Sequence, residues 1–182
     1  MGTTTSTPQE FTDKRKTIKI IKQLEEWTEK RVGKIIFYSN VNNWNTFTSV
    51  FDVKLFNKEH IIIIIEDLKG NIFGGYINSK INKIDAWIND PHAFVFSLES
   101  KGRLKEMMKF DIKEPKYGFF MESSSYGPLF EFGFGKDICV HKKNYSTKSF
   151  CLQYSFEYDG ISNALCGKQI FKTKQIIVIE MK

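Results

Sequence analysis

The stretch 61–77, IIIIIEDLKGNIFGGYI, decides the fold. Its five consecutive isoleucines are β-branched and leave no polar side on either alternating face, which predicts a strand covered from both sides. Asp67-Leu68-Lys69-Gly70-Asn71 supplies turn chemistry, and 72–77 returns as a second strand. Gly74-Gly75 inside the return strand predict a bulge or a close approach of another part of the chain. A hairpin of this kind is the heart of a fold and carries no reactive group.

Upstream, 34–39 (KIIFYS) is read as a strand and 40–45 as a loop whose asparagines suit left-handed turns. Phe47, Val50, Phe51 and Leu55 recur at helical spacing and predict a helix over 46–56. Thr7-Pro8-Gln9-Glu10 opens an N-terminal helix with a capping threonine, a proline at the first turn and a glutamate three residues after the cap. That helix is expected to run to Arg31, with Gly33 as its stop and Phe11, Ile18, Ile21, Leu24 and Trp27 as its apolar stripe. Downstream, 79–91 reads as a long polar connection holding Trp87, 93–98 as a buried strand and 99–113 as a charged surface excursion. Strands follow at 117–121, 129–134 and 138–141, around a turn at 123–128 and a tight glycine corner at 133–137. Alternation of Phe150, Leu152, Tyr154, Phe156 and Tyr158 with small and polar residues predicts a half-buried strand, and 170–181 a long last strand. Many strands, few helices and no strand–helix rhythm give a mostly β, α+β chain: an antiparallel sandwich with helices at its margin.

At 182 residues the chain is long enough for one domain with an N-terminal extension, divided here as 1–33 and 34–182. The net charge of +6 falls on the two ends: residues 1–34 hold 8 Lys/Arg against 5 acids, 136–182 hold 8 against 4, and the middle is near balance. Such a surface attracts nucleic acid or an anionic membrane, although AT-rich codons for Lys, Asn, Ile and Phe would give the same balance. Three cysteines at irregular spacing argue against a disulfide framework, and no apolar run is long enough to span a bilayer. The chain therefore reads as cytoplasmic. Met1-Gly2-Thr3-Thr4-Thr5-Ser6 fits the N-myristoylation pattern at Gly2, with Lys14, Arg15, Lys16, Lys19 and Lys22 as the basic patch that a single acyl chain needs for stable anchoring. The competing reading is an unmodified polar tail.

Catalytic chemistry finds little support. Gly133-x-Gly135-Lys136 lacks the spacing, the Ser/Thr and the following helix of a phosphate loop, and reads as a structural turn. Cys139, His141 and Cys151 do not supply four zinc ligands, and the cysteines read as small buried hydrophobes. His60, His92 and His141 are scattered and form no triad pattern, so neither an enzyme nor a cofactor is expected. For nucleic acid, Lys14-Arg15-Lys16 and Lys142-Lys143 are candidate phosphate contacts, with Tyr126 or Tyr145 for stacking and the nucleus as location; no zinc-finger or RNA-recognition signature accompanies them.

From Lys34 onward the chain resembles the TLDc domain of oxidation-resistance proteins. The resemblance rests on ordered blocks: KIIFYS (34–39), NIFGGYI (71–77), AFVFSL (93–98), GPLFEFGFGKDICV (127–140) and LCGKQIF (165–171) leading into IIVIE (176–180). Phe73, Gly74, Gly75, Gly133, Phe134, Gly135 and Asp137 match its motif, the glycines as backbone-geometry positions. Two departures are Asn42-Asn43, where members often carry glycine, and Ile177, where many carry an acid. The resemblance implies a two-sheet antiparallel β-sandwich flanked by helices. It further implies a non-enzymatic part in resistance to oxidative stress, with subunits of the vacuolar proton-pumping ATPase as protein partner. A stress-linked DNA-binding regulator using the basic helix is the first alternative, and an oxidant-consuming enzyme the second.

Overall fold

The isoleucine run forms β2 (Ile61–Asp67), paired antiparallel with β3 (Ile72–Ile77) in unbroken register from Ile61↔Ile77 to Glu66↔Ile72. The computed structural model describes residues 8–123, 125 and 127–182, with side chains from residue 13 onward. Ile61, Ile63 and Ile65 enter the main core, while Ile62 and Ile64 face the opposite side, where Ile20, Leu24 and Trp27 of α1 (Pro8–Thr28) cover them. Both faces of the strand are thus buried, and each enclosed isoleucine side chain contributes about 1.5–3 kcal/mol.

Two six-stranded antiparallel sheets follow from this hairpin. The first runs β1 (Val32–Tyr38), β12 (Thr173–Met181), β2, β3, β5 (Phe94–Glu99) and β6 (Met108–Asp111). The second runs β11 (Ile170–Phe171), β10 (Ser149–Phe150), β9 (Ile138–His141), β8 (Pro128–Phe132), β7 (Phe119–Met121) and β4 (Trp87–Ile88). Their inner faces meet over a phenylalanine-rich core in which Phe51 of α2 (Phe51–Leu55) stacks on Phe130 at 5.2 Å and meets Phe37 edge-on at 5.0 Å. This is the antiparallel sandwich that the strand pattern predicts.

Several elements depart from expectation. α1 ends at Thr28, whose hydroxyl donates to the Leu24 carbonyl at 2.7 Å, and Glu29 turns left-handed at φ 55°. Gly33 is no helix stop: it lies in β1, where a Cβ would run into the Glu180 carbonyl. The buried side of α1 is Ile20, Leu24 and Trp27, whereas Ile18 and Ile21 are exposed; the Phe11 side chain lies outside the described residues. The expected helix over 46–56 shrinks to α2, because Asn43 Oδ1 takes the Asn45 N–H at 2.9 Å and Phe47 adopts φ 68° with its ring exposed. Neither Asn42 nor Asn43 adopts the left-handed conformation; the Asn42 side chain instead accepts from Tyr38 N–H at 2.8 Å.

The polar connection 79–91 contains β4, and the surface excursion 99–113 contains β6. The alternating segment 150–158 joins the second sheet only at its start, and its partners change three times. Cys151 N–H goes to the Gln169 carbonyl, Leu152 N–H to that of Lys136 and Glu157 N–H to that of Asp111. Its rings divide accordingly: Phe156 and Tyr158 are buried, and Tyr154 faces solvent. The long last strand splits at Lys172, β11 closing the second sheet and β12 entering the first. No bulge occurs at Gly74-Gly75. Those glycines mark close approach, since a Cβ on Gly74 would strike the Ile63 carbonyl and one on Gly75 would lie 2.5 Å from the Phe132 ring.

Candidate functional site

The glycine corner between β8 and β9 is built around one carboxylate. Gly133 adopts φ 74° and Lys136 φ 62°, closing a turn with Lys136 N–H on the Gly133 carbonyl at 3.0 Å. This brings Asp137, fully buried, under the segment 154–158. Its oxygens accept the backbone N–H groups of Tyr154 (3.0 Å), Ser155 (2.9 Å) and Phe156 (3.3 Å), and the Tyr158 hydroxyl (2.9 Å). Burial pushes this carboxyl above its ordinary value, and the four donors pull it back in part. A Cβ on Gly133 would collide with that carboxylate, and one on Gly135 with the Tyr154 ring. The motif residues therefore form a single knot that anchors an otherwise irregular segment.

A second buried carboxylate holds the facing loop. Asp90 accepts N–H groups from Asn78 (2.6 Å), Ser79 (3.1 Å) and His92 (3.0 Å), and so fixes the connection that carries β4. Between the two knots lies an aromatic ledge. Phe134, 64% exposed, stacks on Tyr117 at 4.8 Å, and Trp87 closes on Tyr117 at 5.3 Å and on Phe134 at 6.4 Å. The Lys116 ammonium sits 4.7 Å from the Tyr117 ring. Phe134 was legible from its motif. Trp87 and Tyr117 were not, because only the pairing of β4 with β7 brings them to it; an isolated tryptophan in a polar connection was the one available signal.

The family model for the TLDc domain matches residues 6–176. The chain belongs to the TLDc domain family. The matched span takes in α1, the second sheet and the first sheet up to the start of β12, and membership is consistent with a part in oxidative stress. No curated protein matches the chain.

The remaining candidates are dispersed. Of this TLDc chain's motif residues, Phe73 is buried and meets Phe171 edge-on at 5.0 Å, while Gly74 and Gly75 lie in the first sheet, away from the corner. Ile177 pairs with Tyr38 and Ile64 and lines an apolar groove of about 410 Å³ beside α1. On α1, Lys14, Arg15, Lys19 and Lys22 are exposed, but Lys16 reaches back to Glu99 at 2.9 Å and ties the helix to the sheet. Gly2 and Tyr126 lie outside the described residues. Lys142 is buried, its ammonium donating to the Ser123 and Ser125 carbonyls at 2.5 and 2.6 Å, which makes it a turn anchor in place of a phosphate contact. Lys143 is exposed, and Tyr145 stacks on His141 at 4.9 Å.

All three cysteines are free and buried. Cys139 lies against Glu131 at 3.5 Å and burial pushes its thiol up; Cys151 faces the main core and is likewise raised. Cys166 is held below the ordinary thiol value by the S–H of Cys151, an environment that residue spacing did not reveal. His60 contacts Asn78 at 3.2 Å, His92 is exposed, and burial lowers His141. Among the described residues no group of His, Cys, Asp and Glu is arranged to hold a metal ion, and no helix is long and apolar enough to cross a membrane.

Proposed function

We propose that this TLDc chain is a non-enzymatic interaction module of the oxidative-stress response that docks a protein partner through the ledge of Trp87, Tyr117 and Phe134. The observation that carries this reading is an exposed phenylalanine stacked on Tyr117 beside Trp87, on backbone pinned from both sides by Asp90 and Asp137. Aromatic residues dominate binding hot spots, and a ledge that is already ordered loses little entropy on docking. The resemblance points to subunits of the vacuolar proton-pumping ATPase as the partner. Acylation at Gly2, supported by the exposed cations of α1, would keep the module at the membrane that carries such a pump.

Affinity capture from the native cell tests the reading with three baits: the intact chain, Phe134→Ser and Gly2→Ala. Recovery of pump subunits by the intact chain and their loss with Phe134→Ser supports docking through the ledge. Loss with Gly2→Ala as well locates the contact on a membrane. Undiminished recovery by Phe134→Ser removes the ledge as the contact, and absence of pump subunits from every bait removes the partner.

A further inference from the structure

A cleft of about 790 Å³ opens at the end of the sandwich, between the β2–β3 turn, the segment following β5 and the chain around β11. Its wall carries Lys69, Lys101, Arg103, Lys148, Lys168 and Lys172. Six cations thus meet at one concavity, in a chain whose whole net charge is +6. Five lysines elsewhere, Lys16, Lys34, Lys58, Lys109 and Lys174, pair with acids, and none of these pairs involves a cation of the cleft.

The one carboxylate in the wall among the described residues, Asp67, is buried and turned inward. Its Oδ1 accepts the N–H groups of Lys69 (2.8 Å) and Asn71 (2.9 Å), and its Oδ2 accepts the Asn71 side-chain amide at 2.8 Å. Arg103 is positioned without being neutralised. Its guanidinium donates to the carbonyls of Asn163 (2.7 Å), Ala164 (3.5 Å) and Leu165 (3.2 Å) and to Asn71 Oδ1 (3.1 Å), all of them uncharged acceptors. A fixed guanidinium therefore sits among five exposed ammonium groups in a recess of the size that encloses small ligands.

We propose that this cleft binds a multiply phosphorylated small anion of the inositol polyphosphate class, free in solution or as the headgroup of a phosphoinositide. Several phosphates on one compact ring match several cations converging on one hollow, where charge-assisted hydrogen bonds are strong. A nucleic acid fits less well, because among the described residues the only aromatic ring in the wall is Phe171, which is 5% exposed and offers no face for a base. The site is separate from the aromatic ledge and does not depend on what docks there.

Isothermal titration of the full chain with inositol hexakisphosphate and inositol trisphosphate, at near-physiological salt, reads the affinity directly. Lys101→Ala/Lys168→Ala changes two exposed side chains, leaves Arg103 in place and is expected to weaken binding by about tenfold or more, with the melting temperature unchanged. Lys14→Ala/Lys19→Ala on α1 is expected to change it by less than about twofold. Flotation with phosphatidylinositol bisphosphate vesicles separates the two sources. Capture that the cleft variant abolishes identifies a lipid headgroup, and soluble binding without capture identifies a free inositol phosphate. The proposal is overturned if neither ligand form binds, or if the α1 variant weakens binding as much as the cleft variant. Equal capture by phosphatidylserine vesicles, or equal competition by single-stranded DNA or polyglutamate, overturns it as well.

Discussion

Removing the Asp137 carboxylate should unfold the corner that carries the family motif. In Asp137→Ala the N–H groups of Ser155 and Phe156 and the hydroxyl of Tyr158 lose their acceptor, and all three residues are buried. Tyr154 is exposed, so its N–H can turn to water. Each buried orphan costs about 1–3 kcal/mol, an upper sum near 9 kcal/mol. Two effects reduce it: truncation relieves the desolvation that raises this carboxyl, and the vacated space admits water. The expected net loss is about 3–5 kcal/mol, or a fall of about 6–20 °C in melting temperature for a chain of this length. Tyr158→Phe deletes a single donor and should cost about 1 kcal/mol. Urea unfolding followed by tryptophan fluorescence gives both numbers, and hydrogen exchange at Ser155 and Phe156 shows where the loss falls. A cost below about 1 kcal/mol for Asp137→Ala, with those amides still protected, would refute the view that this carboxylate organises the segment.

Four further substitutions probe other contacts. Gly75→Ala puts a methyl group against the Phe132 ring and should lower stability by about 1–3 kcal/mol in a thermal melt, with an unchanged melt showing that the sheets can part there. Lys16→Ala breaks a half-exposed ion pair and should cost less than about 1 kcal/mol. Because Lys16 heads the causes that hold the Glu99 carboxyl below its ordinary value, the pair's contribution is present above the unfolded glutamate pKa and disappears as the pH falls through the lowered folded value. Denaturation of wild type and Glu99→Gln across that range should therefore converge at the acid end, and a constant difference would contradict it. Phe134→Ser should leave the melting temperature within about 2 °C, since the ring is mostly exposed, so that lost partner capture reflects the ledge and not the fold.

Much of this architecture was legible because hydrophobic period and local turn chemistry agree in β2 and β3. The isoleucines could only be enclosed, and Asp67 with Gly70 closes the hairpin between them. Legibility failed where a distant side chain takes over the backbone. Residues 150–158 alternate as a strand should, yet Asp137 captures three of their N–H groups and the ladder stops at Phe150. β6 was hidden because Lys109 and Asp111 surround its one buried ring, Phe110, on an edge strand where charge is tolerated. The helical spacing at 46–56 was real, but Asn43 offered hydrogen bonds that end the periodicity before α2 begins. Of the site, the corner showed in its glycines, whereas the ledge and the cationic cleft exist only once distant segments meet.

The position of β12 between β1 and β2 bears on how the protein is made. Ser39, just past β1, receives the N–H of Ile176, a partner 137 residues later in the chain. At ordinary translation speeds the ribosome needs roughly 7–30 s to cover that distance. Throughout that interval β1 emerges with its hydrogen-bonding edge and Phe37 unmatched, while β2 and β3 can already zip together as a local hairpin. The first sheet is therefore assembled by insertion, a late strand sliding between two early ones, and the newborn chain is most in need of chaperone shelter while that slot stands open.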